Sequence, residues 1–204
     1  MSGFVIASQN KGKVAEISRA LNGAGITIRS LGDYRHVPPV EEDGQTYLDN
    51  ALKKARFYSA FTGETVLADD SGLEVDYLNG EPGVYSAVYA GLHASDEENN
   101  GKLLHKLDGV APDERGALFR CVLVFYEPDG RFHSFEGTWR GVILTEPAGT
   151  QGFGYDPLFF VPELGKTAAQ LDPDVKNRVS HRAKALSLFQ EWFLQRFSKK
   201  IIGA

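Results

Sequence analysis

The sequence predicts an α/β protein: a single mixed sheet flanked by helices, arranged as two lobes around a cleft that would hold the active site. Three observations predict it. The chain opens in a strand–loop–helix–strand order, which favours a parallel pair. Two long strand-like runs, 117–127 and 131–144, are joined by Pro128-Asp129-Gly130, a hairpin signal that adds antiparallel pairing. No linker or low-complexity stretch interrupts the 204 residues, so 1–204 reads as one domain.

The elements follow in order. Phe4 to Ser8 is a short buried strand that runs into the polar loop Gln9 to Lys13. Val14, Ile17 and Leu21 fall at helical spacing, and Gly23 or Gly25 ends that helix. Ile26 to Leu31 suits a second strand. Gly32 to Gln45 is a loop carrying paired prolines and then Glu41, Glu42 and Asp43. Thr46 can cap a helix over Tyr47 to Phe61. Thr65 to Ala68 reads as a strand ending in Asp69-Asp70-Ser71-Gly72, with Glu74 to Leu78 extended beyond it. Residues 79–93 read as an ordered loop, and Ser95 caps a helix over Asp96 to Leu107. After the hairpin comes a glycine-rich loop over 145–157, and a last helix covers Ser180 to Phe197.

Composition excludes several classes of function. Lys and Arg number 22 and Asp and Glu 27, a net charge of −5, which argues against a duplex DNA binder. The one cysteine, Cys121, rules out an intrachain disulfide and points to a reducing, cytoplasmic setting. Its strand-like apolar surroundings predict a buried small side chain rather than a nucleophile. The N-terminus lacks a basic segment ahead of its short apolar run, so no signal peptide is expected, and no run approaches a membrane span. The five histidines are scattered and show no metal-ligand spacing with the cysteine.

Four polar clusters carry the candidate chemistry. Ser8, Gln9, Asn10, Lys11, Gly12 and Lys13 lie between a strand and a helix, where N–H groups and lysines can hold an anion. This is not a Walker A loop, and a solvated polar turn is the plain alternative. Glu41-Glu42-Asp43 and Asp69-Asp70 form the second cluster. Asp69 and Asp70 follow an apolar strand, where open α/β sheets place ligands, and Mg²⁺ would relieve their repulsion. Neighbouring strand side chains point oppositely, so only one of the two need face a ligand. Lys53-Lys54 is the third; helical neighbours diverge by about 100°, so one can turn inward while the other stays in water. The fourth comprises Phe153, Gly154, Tyr155 and Asp156, followed by Lys176 and by His181 and Arg182. Cations in the first turn of the last helix oppose its dipole, which hints at an anionic or acceptor-rich ligand. Phe153 or Tyr155 can stack on a base or simply pack in the core.

Together these segments resemble the inosine triphosphate pyrophosphatase (Ham1-like) family. The carrying stretches are Ser8 to Lys13 with Glu16, Glu42 to Thr46 with Asn50-Ala51 and Lys54-Ala55, Asp69 to Leu73, Gly80 to Ala87, Gly152 to Pro157, and Ser180-His181-Arg182. The resemblance spans Phe4 to about Leu188. One departure is Ser8-Gln9, where bacterial members often have Thr-Gly or Thr-x; Ser8 keeps the hydroxyl.

The resemblance implies an elongated two-lobed fold and hydrolysis of ITP, dITP or XTP to the monophosphate and pyrophosphate. It further implies Mg²⁺ and a homodimer. Asp70 would be the general base or metal-linked acid. Glu41 or Glu42 would be the helping metal carboxylate, with Asp69 beside them as a further candidate. Residues 8–13, Lys54, Ser71, 153–156, Lys176, His181 and Arg182 would bind the nucleotide. Lys13, Lys54 and Lys176 would offset phosphate charge, His181 and Arg182 would donate to the purine O6, and Asp156 would accept a base N–H. Three other readings compete: a Maf-type pyrophosphatase acting on pyrimidine or modified triphosphates, a non-catalytic nucleotide sensor, and a single-stranded nucleic-acid binder. The 152–157 loop with the Ser180-His181-Arg182 ending, the paired Asp69-Asp70, and the net charge of −5 argue against them in turn.

Overall fold

Seven strands in the order β2-β1-β3-β4-β5-β6-β7 make one open mixed sheet in the computed structural model, which describes residues 3–23 and 25–197. β1 (Gly3–Ala7) pairs in parallel with both β2 (Thr27–Ser30) and β3 (Val66–Val75), the arrangement the strand–helix–strand opening predicts. β4 (Gly116–Tyr126) and β5 (Phe132–Ile143) follow, and the short β6 (Phe159–Val161) and β7 (Lys166–Thr167) continue antiparallel from β5. The hairpin between β4 and β5 turns at Gly130, whose φ of 93° few side chains tolerate.

The described residues also form five α-helices, α1 (Lys11–Ala20), α2 (Tyr47–Thr62), α3 (Asp96–Lys106), α4 (Pro173–Val179) and α5 (His181–Phe197), besides short 3₁₀ turns. Thr46 caps α2 by accepting from the Asp49 N–H, and Ser95 closes a capping box with Glu98 at the start of α3. Both caps lie where the sequence predicts them.

The fold departs from expectation at three places. β3 does not end at Ala68 but runs through Asp69, Asp70 and the Glu74 region to Val75. Acids can lie inside a buried strand when cations meet them there, and Asp69 and Asp70 are 1% and 4% exposed. α4 was unforeseen: Asp172 accepts from the Asp174 N–H and Pro173 occupies its first turn, a cap-plus-proline start. Ser180, in extended conformation between α4 and α5, immediately precedes His181, the first residue of α5, and so stands at the capping position the sequence predicts. β6 and β7 were also unforeseen, being too short to show an alternating pattern.

The chain divides into two compact units. The first comprises the described residues up to Asp70, Cys121–Gly137 and the described residues from Arg182 onward. Its core sets Phe4, Ile6, Leu67, Cys121, Leu123 and Phe125 of the sheet against Ala185, Leu186, Phe189 and Phe193 of α5. The Phe4 ring meets Phe189 edge-on at 5.5 Å, as aromatic quadrupoles prefer. The second unit comprises Ser71–Arg120 and Thr138–His181. Leu73, Val75, Leu103, Leu107, Phe119, Trp139 and Phe159 form its core. β3, β4 and β5 give residues to both units, and Asp69 and Asp70 of the first are carried on the buried part of β3.

Candidate active site

In the first unit, the turn after β1 is built by its own side chains. Ser8 Oγ accepts from the Asn10 N–H at 3.2 Å, and Asn10 Oδ1 caps α1 by accepting from the Lys13 N–H at 3.0 Å. Capping leaves Lys11 and Gly12 at the very start of α1, where N–H groups lack helical acceptors. Gln9 and Lys11 are exposed. Lys13 turns its ammonium to Asp69 Oδ1 at 2.7 Å.

Asp69 and Asp70 point to opposite sides of β3, as strand geometry requires. Asp69 is saturated with donors. Besides Lys13, Arg182 Nε reaches its Oδ2 at 2.8 Å, and the Cys121 thiol donates to the same oxygen at 3.1 Å. Burial alone would raise the Asp69 carboxyl, but Arg182 and Lys13 hold it well below the usual carboxylate range. Burial and the Asp69 charge push the Cys121 thiol well up, which fits the inert buried cysteine expected from sequence.

Asp70 has fewer cations. Lys54 Nζ lies 2.9 Å from its Oδ1, and Asn50 Nδ2 stands 3.4 Å from its Oδ2. Lys54 also donates to Glu42 Oε2 at 2.5 Å, so one buried ammonium serves two carboxylates. Burial pushes Asp70 up to about 6; Lys54 and Lys13 oppose the rise and Glu42 adds to it. Glu42 is held below its ordinary value by Lys54 against the effect of burial.

Between the neighbouring lysines, it is Lys54 that turns inward. Lys53 is solvated and pairs with Asp43 at 2.5 Å. The acidic loop reaches α2 because Gly44 has no side chain. Its N–H donates to Asn50 Oδ1 at 2.7 Å, and a Cβ there would sit 2.6 Å from that oxygen. Glu42, though exposed like Glu41, is thereby brought to Lys54.

In the second unit, Gly152 (φ 79°) turns the loop so tightly that a Cβ would lie 2.0 Å from Asp156 Oδ2. That oxygen accepts from the Phe153 N–H at 2.9 Å and from Lys176 Nζ at 2.5 Å. The same ammonium stands 5.1 Å from the Phe153 ring centroid. Lys176, expected beside the phosphates, is thus held on Asp156 and Phe153. Gly154 is fixed from both sides, its N–H donating to Asp96 Oδ2 at 2.6 Å and its C=O accepting from Asn100 Nδ2 at 3.0 Å. Tyr155 is buried with its hydroxyl on the Ser86 carbonyl, so of the two aromatics it is the core residue and Phe153 the half-buried one. The His181 ring stacks on Phe119 at 4.7 Å. Ser71 is half-buried on β3, next to Asp70 in sequence.

Arg182 also meets an anion, but the anion is the protein's own: Asp69 and Glu16. Its position in the first turn of α5 is therefore compensated within the fold. Sequence reasoning gave no role to Asn50, Phe119, Asp96 or Asn100. Asn50 carried a signal, since it is a polar residue on the helix face that also holds Ala51, Lys54 and Ala55. The partners of Arg182 and His181 lie far away in sequence and left none.

Two carboxylates, Glu42 and Asp70, face one lysine, and the Asp70 carboxyl is raised by burial first and by the nearby Glu42 in addition. Among the described residues no group of three potential ligands gathers. A pair of hard oxygen donors fits Mg²⁺, which binds through one or two carboxylates and completes its shell with water and phosphate oxygens.

Comparison with known proteins identifies the family. The model of the Ham1 family matches residues 4–192. A dITP/XTP pyrophosphatase of Geobacter sulfurreducens is 53% identical over 191 residues, covering 94% of this chain and 96% of that protein. One of Desulforamulus reducens is 54% identical over 188 residues, with 92% and 94% covered. The solved structure of a HAM1 protein from Coxiella burnetii superposes with a TM-score of 0.86 at 41% identity, covering 96% of this chain and all of that one (100%). The Staphylococcus aureus Ham1 protein gives 0.84 at 42% identity, again with 96% and 100% covered. With the match spanning nearly its whole length, the chain belongs to the Ham1 family.

Proposed function

We propose that this protein is a nucleoside-triphosphate pyrophosphatase that hydrolyses dITP, ITP and XTP between the α and β phosphates, releasing the monophosphate and pyrophosphate. The observation that carries the reading is the buried Lys54 ammonium shared by Glu42 and Asp70, with Asp70 raised to about 6. A carboxyl poised near neutral pH, beside a cation, suits a general base. The relatives named dITP/XTP pyrophosphatase support the substrate class.

Each unit contributes its own part. In the first, the start of α1 and the Lys13 ammonium bind phosphate oxygens, and Lys54 offsets charge while orienting Asp70. Asp70 orients the attacking water and takes its proton. Glu42 and Asp70 would hold Mg²⁺, which when bound neutralises charge on the phosphates and the departing pyrophosphate. In the second, Phe153 offers a ring face to the base. Asp156 accepts from a base N–H, and Lys176 and His181 donate toward O6. Ser71 adds a hydroxyl for the nucleotide.

Hypoxanthine and xanthine present an O6 acceptor and an N1–H donor. Adenine presents the reverse, so buried donors aimed at O6 would go unpaired against it. Family resemblance also supports Mg²⁺ as the physiological metal, a cytoplasmic setting, a homodimer, and one functional domain over the whole chain. No helix among the described residues is long and apolar enough to cross a membrane.

The test is hydrolysis of ITP, XTP, dITP, ATP, GTP and dTTP with Mg²⁺, resolving pyrophosphate from free phosphate. Pyrophosphate from the first three, with the others largely untouched, is the expected result. A preference for dTTP would favour a Maf-type activity, and binding without turnover would favour a sensor.

A further inference from the structure

Four charged side chains in the first unit close into a ring. Lys13 binds Asp69, Asp69 binds Arg182, Arg182 binds Glu16, and Glu16 lies one helical turn from Lys13 on α1. The ring holds two cations and two anions, so its formal charge is zero. Asp69 and Arg182 are almost fully buried (side chains 0% and 2% exposed), whereas Lys13 and Glu16 lie at its partly exposed edge (14% each).

The contacts on Asp69 are unequal. Arg182 Nε is 2.8 Å from Oδ2, but Arg182 Nη2 is 3.4 Å from Oδ1. A guanidinium facing a carboxylate normally closes a symmetric two-bond fork. Here the fork is opened on one side, and the strong contact to Oδ1, at 2.7 Å, belongs to Lys13. On its other side, Arg182 donates through Nη1 to Glu16 of α1. Without that bond, Arg182 would be free to close on both oxygens of Asp69 and compete with Lys13 for Oδ1.

We propose that Glu16 is a positioning residue for Lys13. By holding Arg182 aside, it reserves one oxygen of Asp69 to aim the Lys13 ammonium beside the start of α1. Glu16 itself touches no phosphate. The inference rests on the reading of Lys13 as a phosphate-binding residue and adds the device that keeps it in place.

The experiment compares Glu16→Gln and Glu16→Asp with wild type in two independent readouts. The first needs no turnover: acetylation of lysines in the free protein, mapped by mass spectrometry. In Glu16→Gln, Lys13 should label about tenfold faster, the effect of replacing a charge-assisted bond by a neutral one. Lys54 should label at its wild-type rate. Glu16→Asp, which restores the charge, should recover most of the protection. The second readout is pyrophosphate release from dITP. The kcat/KM of Glu16→Gln should fall about tenfold, mainly through KM, because an ammonium that meets the phosphates before and during cleavage contributes uniform binding.

Unchanged Lys13 labelling in Glu16→Gln overturns the proposal, and so does equal acceleration at Lys13 and Lys54, which marks general loosening. Faster Lys13 labelling with dITP kinetics left at wild-type values overturns the link to phosphate. Wild-type protein that releases no pyrophosphate overturns the functional reading, a result the labelling experiment distinguishes from failure of the positioning role.

Discussion

Asp69 and Asp70 are neighbours on β3, equally buried, and opposite in their electrostatics. Asp69 meets two cations and a thiol, and its carboxyl is held well below the ordinary range. Asp70 shares a single close ammonium with Glu42, and its carboxyl is raised to about 6. The difference is one of charge balance rather than burial. A saturated carboxylate is part of the fold, whereas an under-compensated one retains the capacity to take a proton or a metal.

The largest expected effect breaks the comparison on the Asp70 side. Asp70→Asn should reduce pyrophosphate release by at least about a hundredfold, the usual lower bound for losing a general base. It should still fold, because Lys54 keeps Glu42 as its anion. Near-normal kcat in a protein with wild-type circular dichroism would remove Asp70 from the chemistry.

Breaking the Asp69 side should do the reverse. Asp69→Asn leaves the buried Arg182 with the Glu16 carboxylate but without that of Asp69, and removes the carboxylate that Lys13 meets. Removing one member of a buried ion network costs about 3–5 kcal/mol, so urea unfolding should show a clear loss of stability. A midpoint equal to wild type would mean that Asp69 contributes nothing to the fold.

The two carboxylates should also respond oppositely to pH. Asp69 titrates below an unfolded aspartate, so its stabilisation is present above the ordinary value of 3.8 and is lost as pH falls further. Asp70 titrates above it. Between 3.8 and about 6 the folded protein holds a proton that the unfolded chain has released, so this group favours folding more as pH falls through that window. In metal-free protein, Asp70→Asn should therefore have a higher Tm than wild type at pH 7, and the gap should narrow as pH falls below about 6 and close only towards pH 3.8. A gap independent of pH would show that Asp70 is not raised.

How much of this was legible in the sequence depended on the range of the interaction. The parallel opening, the β4–β5 hairpin and the capped α2 and α3 are local patterns, and each was readable. The strand that continues through Asp69 and Asp70 was not, since two adjacent acids look like a surface turn until Lys13, Lys54 and Arg182 are brought to them. Arg182 looked poised for a ligand because its compensating anion, Asp69, is 113 residues away. The start of α4 was legible in principle, as Asp172-Pro173 is a cap followed by a proline. The choice between Lys53 and Lys54 depended on helix phase, which Asn50, Ala51 and Ala55 mark as the buried face only in retrospect.

The smallest expected effect sharpens the comparison by moving one residue outward. Lys53–Asp43 is as short, at 2.5 Å, as Lys54–Glu42, yet the Lys53 side chain is 42% exposed where that of Lys54 is 8%. Water and salt screen such a pair, and holding two flexible side chains together costs entropy. Lys53→Ala should leave both Tm and turnover within error of wild type. Glu41→Gln should do the same, because Glu41 is exposed and it is Glu42 that reaches Lys54. Lys54→Ala, by contrast, leaves Asp70 and Glu42 facing one another without their shared cation, and should impair both folding and turnover. If Lys53→Ala proved as harmful as Lys54→Ala, contact distance would govern these pairs and charge balance in a buried setting would not.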